Sequence, residues 1–456
     1  MRSIWAVATN TIKQAVRMKV AAVFLILLLV LLPVMGFSAT GDGTLKGRLQ
    51  TFVSYGLSLT SLLLCLLTII ISIYSVTSDI EQRQIYTVIT KPIRRFEFLL
   101  GKLLGVILLD VILLVLFAAI IYTIIIYTPK LFNATETERI QVNNEFFTAR
   151  AALTVPEVDV SQEVEDIYKK LDIRNELPPN LSRDEIIAEL TKQQQLAKRA
   201  AAVGYELLWE FNNVKPRGSN ERLFIRFKYD VPVTPPDSQV YGLWTVGDYR
   251  QIRQIRYGMK PETLPYIFER KDPVQKFREI EVPADAVAKD GYLAVGFFNV
   301  PLNNTAVIFP PDCIMVLYQA DTFTGNFVKA VLLILLRLIF LACLGILAST
   351  FLSFPVAILL CLVLFSTASV SGFVIESFDF LSENISVIYS YTIKLVIRLL
   401  PQFDKFNPTK FLVPARLLSW SLLARCAAVM VCIKAFLLLL LALLIFSYRE
   451  IAKIIV

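Results

Sequence analysis

Six apolar stretches, near 20–36, 54–76, 99–127, 330–350, 355–375 and 421–447, decide most of what this chain can become. A hydrocarbon core of about 30 Å is crossed by about 20 helical residues, and five of the six runs meet that length. The first is shorter and contains Pro33, which leaves its outer boundary open. In lipid, backbone amides must be satisfied within the segment, so such runs become helices. The expected fold is therefore a polytopic α-helical membrane protein with about six transmembrane helices. Composition agrees, since 55% of residues are hydrophobic and only 18% charged, with mean hydropathy +0.60.

Charge is unevenly distributed. Residues 128–327 hold 24 basic and 28 acidic side chains, leaving 22 and 10 for the rest. The excess of +8 therefore belongs to the membrane parts, where basic residues mark the cytoplasmic side, and it gives no reason to expect nucleic acid. Arg2, Lys13, Arg17 and Lys19 precede the first span; Arg83, Lys91, Arg94, Arg95 and Lys102 lie between the second and third; Arg449 and Lys453 follow the last. These positions are expected in the cytoplasm, with both termini. By parity, residues 128–327 form an extracytoplasmic domain, between an N-terminal part (1–127) and a C-terminal part (328–456). The chain lacks histidine, the commonest general base and metal ligand. Of six cysteines only Cys313 falls in 128–327, so that domain cannot close an internal disulfide. The first apolar run is long for a signal-peptide core and lacks a clear small-x-small site, so it is expected to be retained.

The 128–327 segment changes period along its length. Residues 157–212 read as helical, interrupted at Pro178-Pro179. Beyond Pro216 come β-rich runs, at 223–229, 251–257, 277–282 and 292–300, separated by Pro, Gly and Asp. The expectation is an α+β domain, a helical part followed by a β-sandwich. Residues 3–18 carry Trp5, Ala8, Ile12 and Val16 at helical spacing, which suits either a helix in the inner interface or an extension of the first span. The stretch 380–416 should hold an outer-interface or re-entrant segment: Ile385, Ile388, Thr392 and Leu395 share a side, and Pro401 ends it.

The segment 78–98 between the second and third spans points to function. A helix is expected to begin at a Ser78 or Asp79 cap, with Glu81 completing a capping box. Ile80, Gln84, Ile85, Val88 and Ile89 would give it an apolar stripe, and Pro92 would stop it. A second helix should start near Phe96 and enter the membrane. A short amphipathic rod held between two spans is what a partner needs to push on the bilayer-embedded helices.

These residues resemble the coupling region of type-2 ABC-transporter permeases. The similarity rests on Asp79 and Glu81, then Lys91-Pro92-Ile93 with Arg94 and Arg95, then Gly101-Lys102-Leu103-Leu104-Gly105. It extends to Ala8-Thr-Asn-Thr-Ile-Lys-Gln-Ala-Val-Arg, which is similar to the family's leading helix, to Phe351-Leu-Ser-Phe-Pro-Val-Ala, to Leu400-Pro-Gln-Phe-Asp-Lys-Phe-Asn and to Ser447-Tyr-Arg-Glu-Ile-Ala. The insertion at 128–327 departs from the minimal pattern. The resemblance implies the permease subunit of an ATP-driven exporter in a bacterial inner membrane. A separate ABC ATPase dimer would dock on Asp79, Glu81, Gln84, Ile85, Val88, Ile89, Lys91, Pro92, Arg94 and Arg95, and a second permease copy, or a related one, would complete the pathway. ATP and Mg would then bind the ATPase and no cofactor would bind this chain. It has no Gly-x-x-x-x-Gly-Lys-Ser/Thr loop, so it is not expected to be an enzyme. The alternative is a membrane-anchored extracytoplasmic binding or assembly protein without transport.

Ionisable groups inside spans cost about 2.5–3.5 kcal/mol on insertion scales and usually have a partner. Asp110 and Arg337 come to similar depth on the third and fourth spans, so an intramembrane pair is expected; separate satisfaction by hydroxyls or snorkelling is the competing outcome. Lys434 reads as snorkelling. Trp244 reads as a core residue of the outer domain. Acidic pairs such as Glu163/Asp166 and Asp184/Glu185 suit a solvated helix face better than acid-base chemistry.

Overall fold

In a computed structural model of the chain, the described residues are 2–81, 94–132, 135–155, 159–174, 177, 182–216, 222–251, 265–310, 313–378 and 400–448. They divide into two compact units, residues 1–149 with 322–456, and residues 150–321.

The first unit is helical. Helix α1 (Arg2–Val16) is followed by α2 (Lys19–Ser38), α3 (Leu45–Glu81), α4 (Arg95–Leu131) and α5 (Glu136–Glu145). After the second unit come α8 (Phe323–Phe351), α9 (Phe354–Phe378) and the short α10 (Thr409–Leu412), then α11 (Trp420–Tyr448). Six of these are long and apolar enough to cross a membrane: α2, α3, α4, α8, α9 and α11. They cover the six expected spans, several turns longer in α3 and α4. Helices α3 and α8 are the most enclosed, whereas α2, α9 and α11 turn most of their apolar surface outward, as lipid-facing helices do. Thr322 caps α8 by accepting from the Gly325 N–H at 3.3 Å. Ser419 caps α11 by accepting from the Leu422 N–H at 3.2 Å. Within α11, residues Ala428–Ala435 are π-helical.

At the N-terminus one of the two alternatives falls away, and one expected boundary moves. The N-terminal helix is separate from the first span: the backbone turns extended at Met18 before α2 begins. Its buried face is Ala8, Thr11 and Ala15, while Trp5 and Val16 are exposed. Small side chains win that face because the helix lies against another backbone, as shown below. The division expected at 127/128 falls instead at 149/150, because α4 continues to Leu131 and α5 packs with the helical core through Val142. The 380–416 expectation falls largely on residues outside those described; of its end, residues 400–416 hold only the one-turn α10.

The second unit begins with β1 (Thr148–Thr154), α6 (Ser161–Ile173) and α7 (Arg183–Lys198), followed by β2 (Ala200–Ala201), β3 (Glu206–Phe211), β4 (Arg222–Phe227) and β5 (Gln239–Gly247). It continues through β6 (Tyr266–Pro273), β7 (Arg278–Pro283), β8 (Leu293–Asn299), β9 (Val307–Ile308) and β10 (Ile314–Thr322). One sheet has the order β1-β10-β4-β7 and the other β3-β8-β5-β6, with β2-β9 as a small ribbon. Their inner faces share one core, in which Trp209, Val240, Trp244 and Phe297 meet Ile225, Phe227, Ile280 and Val316. This is the expected sandwich. Helicity ends earlier than 212, however, because Glu206–Phe211 pairs antiparallel with β8, placing Trp209 opposite Val295 and burying Trp209 and Phe211. The run 251–257 lies outside the described residues beyond Gln251.

Trp244 is 1% exposed, with ring centroids of Phe227 at 4.3 Å and Phe297 at 4.9 Å. Glu163 of α6 pairs with Lys198 of α7 at 2.6 Å, and Glu185 takes part in the Ser182 cap of α7, so one member of each acidic pair joins or caps these helices. On the surface, Arg250 donates to Asp248 and Asp290; its guanidinium holds the Asp290 carboxyl down to about 2. That contribution is present above the ordinary carboxylate range and is lost as pH falls toward 2. Replacing Trp244 with Ala should cost the sandwich about 3–5 kcal/mol. The expected readout is faster hydrogen exchange along β5 and β8 of the full chain, and unchanged protection would contradict the packing.

Candidate functional site

Four helix ends meet at one end of the helical unit, around residues 78–102. Helix α3 runs through Ser78 and Asp79 to Glu81 with no interruption, so the long apolar helix also carries these residues. The cap and capping box expected at Ser78, Asp79 and Glu81 are therefore absent. A serine caps only where the backbone breaks, and here the preceding turns carry the helix on. Helix α4 begins at Arg95, and Glu97 in its first turn accepts from the Arg94 N–H at 3.3 Å and from Ser3 Oγ at 3.0 Å. Arg95 Nη1 donates to the last carbonyls of α11, Ser447 at 2.7 Å and Phe446 at 3.3 Å, which places a cation on a helix C-terminus. Gln84, Ile85, Val88, Ile89, Lys91 and Pro92, and the amphipathic helix expected from them, lie outside the described residues.

At the centre of this cluster Lys102 and Asp79 form an ion pair of 2.7 Å. Lys102 is 0% and Asp79 5% exposed. Lys102 Nζ also donates to Gln14 Oε1 at 3.3 Å, and Gln14 Nε2 donates to Ser78 Oγ at 3.3 Å. Three helices, α1, α3 and α4, are thus joined through one desolvated network. Asp79 Oδ1 is buried and has no hydrogen-bond partner among the described residues.

The glycines of Gly101-Lys102-Leu103-Leu104-Gly105 explain how the lysine is reached. A Cβ at Gly101 would lie 2.6 Å from Val7 Cβ and 2.9 Å from the Ile4 carbonyl; at Gly105 it would lie 2.7 Å from the Ala8 carbonyl and from Thr11 Cβ. Small residues four apart let two helix backbones approach closely. With Ala8 and Thr11 on its packed face, α1 lies directly against α4 and brings Gln14 over the ion pair.

Deeper in the unit, Asp110 and Arg337 do not pair with each other. Asp110 Oδ1 accepts from Thr68 Oγ1 at 2.8 Å, and its Oδ2 is buried without a partner among the described residues. Arg337 donates to Ser61 Oγ at 3.2 Å and to the Phe403 carbonyl at 2.9 Å, its guanidinium 4.8 Å from the centre of the Phe403 ring. Equal depth on two helices does not fix the direction in which each side chain points, and each found a hydroxyl on α3 instead. Lys434 Nζ reaches the Leu400 carbonyl at 2.8 Å within the fold. The Asp79–Lys102 pair was not apparent from sequence, although a lysine between glycines inside an apolar run was the available signal. Among the described residues, no group of three or more His, Cys, Asp or Glu could hold a metal ion.

The stretch that runs from α1 through α5 to the first strand is similar to a known family. Residues 5–155 match the family model described as ABC-2 family transporter protein. Over that stretch the chain is similar to the ABC-2 transporter family. The match stops close to where the second unit begins. The likeness over that stretch supports a membrane subunit of an ABC transporter. No curated protein and no solved structure matches the chain.

Breaking a buried pair on one side leaves the other charge stranded, at a cost of about 3–5 kcal/mol. Lys102→Met alone should lower the melting temperature of the detergent-solubilised chain strongly, and adding Asp79→Leu should recover most of the loss. Additive effects of the two substitutions would show that the pair does not act as a unit.

Proposed function

We propose that this chain is the permease subunit of an ATP-driven exporter, moved by a separate ABC ATPase dimer that docks on residues 78–98. The observation that carries the reading is the Asp79–Lys102 pair. It fastens together the two long helices that flank the docking segment, with α1 held across them. A force applied to residues 82–93 would enter α3 and α4 together, in place of bending one against the other. Arg95, bonded to the end of α11, would carry the same displacement to the last span. ATP and Mg would be bound by the ATPase; the residues of this chain supply the lever.

The basic residues beside this end of the helices support a cytoplasmic location for it. The β-sandwich unit would then lie outside a bacterial inner membrane. A second copy of this chain, or a related permease, would complete the translocation pathway. Arg94, Arg95 and Lys91 would face acidic groups on the ATPase, while Ile85, Val88 and Ile89 would fill an apolar groove on it.

Changing Ile85 and Ile89 together to Asp should abolish recovery of the ATPase in a pull-down with the tagged chain, while leaving the melting temperature of the permease within a few degrees of the parent. Full retention of the ATPase by that variant removes the coupling assignment and leaves the anchor reading in its place.

A further inference from the structure

Asp110 lies inside α4, a little over two turns beyond Lys102, or about 12 Å along the helix. It is 1% exposed. The buried cations of the unit are engaged elsewhere: Lys102 is paired with Asp79, and Arg337 donates to Ser61 and to the Phe403 carbonyl. Among the described residues, Asp110 has its hydrogen bond from Thr68 of α3, and its Oδ2 has none. The coupling assignment makes no use of this acid.

The hydrogens around Thr68 decide its charge. Thr68 Oγ1 lies 2.8 Å from Asp110 Oδ1 and 2.8 Å from the Leu64 carbonyl oxygen, one turn back in α3. Both are O–H···O bonding distances, yet a hydroxyl has a single hydrogen to give. With a carboxylate at position 110, one of the two contacts would hold two oxygens together with no hydrogen between them, which is repulsive. Oδ2 would also be a buried anionic oxygen with nothing to bond it, and a group so placed takes up a proton instead. A carboxylic acid removes both difficulties. Its O–H on Oδ1 donates to Thr68 Oγ1, and the Thr68 hydroxyl donates to the Leu64 carbonyl. Oδ2 is left as a neutral carbonyl oxygen, whose lack of a donor costs far less than that of an anion.

We propose that Asp110 is a proton-binding site, an acid that holds its proton while α3 and α4 are packed and uses it to tie one helix to the other through Thr68. The two helices are then joined twice, by the ionic Asp79–Lys102 contact near their ends and by this neutral bridge deeper in the unit. The two joints differ in kind. Parting α3 from α4 at Thr68 would let water reach the acid; its O–H bond then breaks, the proton passing to water and the electron pair staying on the carboxylate. A proton bound only in the packed state stabilises that state, so occupancy and packing are linked. This holds with or without an ATPase beneath the chain and stands apart from the exporter reading.

The test is infrared spectroscopy of the full chain in lipid nanodiscs, with its aspartates labelled with heavy carbon at the side-chain carboxyl. At neutral pH the parent should show the label-shifted C=O stretch of a protonated carboxylic acid, and Asp110→Asn should remove it. Thr68→Val, which takes away the acceptor of the acid O–H, should keep the band and move it to higher frequency. Asp110→Asn should melt within a few degrees of the parent, because its amide N–H stands in for the acid O–H; Asp110→Ala should melt lower. Absence of the band from the parent, its survival in Asp110→Asn, or an unmoved band in Thr68→Val would overturn the proposal. So would an asparagine variant as unstable as the alanine one, since that would make the negative charge the feature in use.

Discussion

Desolvation of one lysine organises the end of the helical unit that holds the proposed coupling site. Lys102 sits where water cannot reach it, and a cation there is tolerated only with a carboxylate at bonding distance. Asp79 meets that need at 2.7 Å, and meeting it fixes the rotation of α3 against α4. Gln14 completes the shell only if α1 lies close, and it can lie close only because Gly101 and Gly105 have no side chains. Charge, glycine spacing and the small-residue face of α1 are thus one requirement expressed in three places. A well-packed apolar replacement would hold the helices at least as firmly, so the pair is better understood as a device for register than as a source of stability.

Features that belong to one segment alone were readable from the sequence, and those that depend on how segments meet were not. The six spans were legible because hydropathy over about 20 residues is a property of each segment alone. The sandwich was legible in Leu223–Phe227 and Leu293–Asn299, where β-branched and aromatic residues cluster. Glu206–Phe211 was not, because Glu-Leu-Leu-Trp-Glu is acceptable in a helix and only pairing with β8 decides against it. Local preference yields to tertiary pairing in such cases.

The site was half legible. Its residues were indicated as a motif, but their relations were not, since those depend on the angle of each side chain around its helix. Asp110 and Arg337 illustrate the point: matched in depth, they turn to Thr68 and Ser61 on α3. Ser78 illustrates another. Its cap signal is genuine in isolation, yet the apolar run before it propagates helix straight through, because extending an existing helix avoids the cost of nucleating a new one.

The sheet order β1-β10-β4-β7 sets the first and last strands of the sandwich beside each other. The chain therefore enters and leaves that module through two neighbouring leads. A fold with paired leads can be removed, enlarged or exchanged by a short splice without rethreading what surrounds it. A helical core of this build is thereby open to acquiring new modules in evolution, each inserted at a single point, while the rest of the chain stays the same.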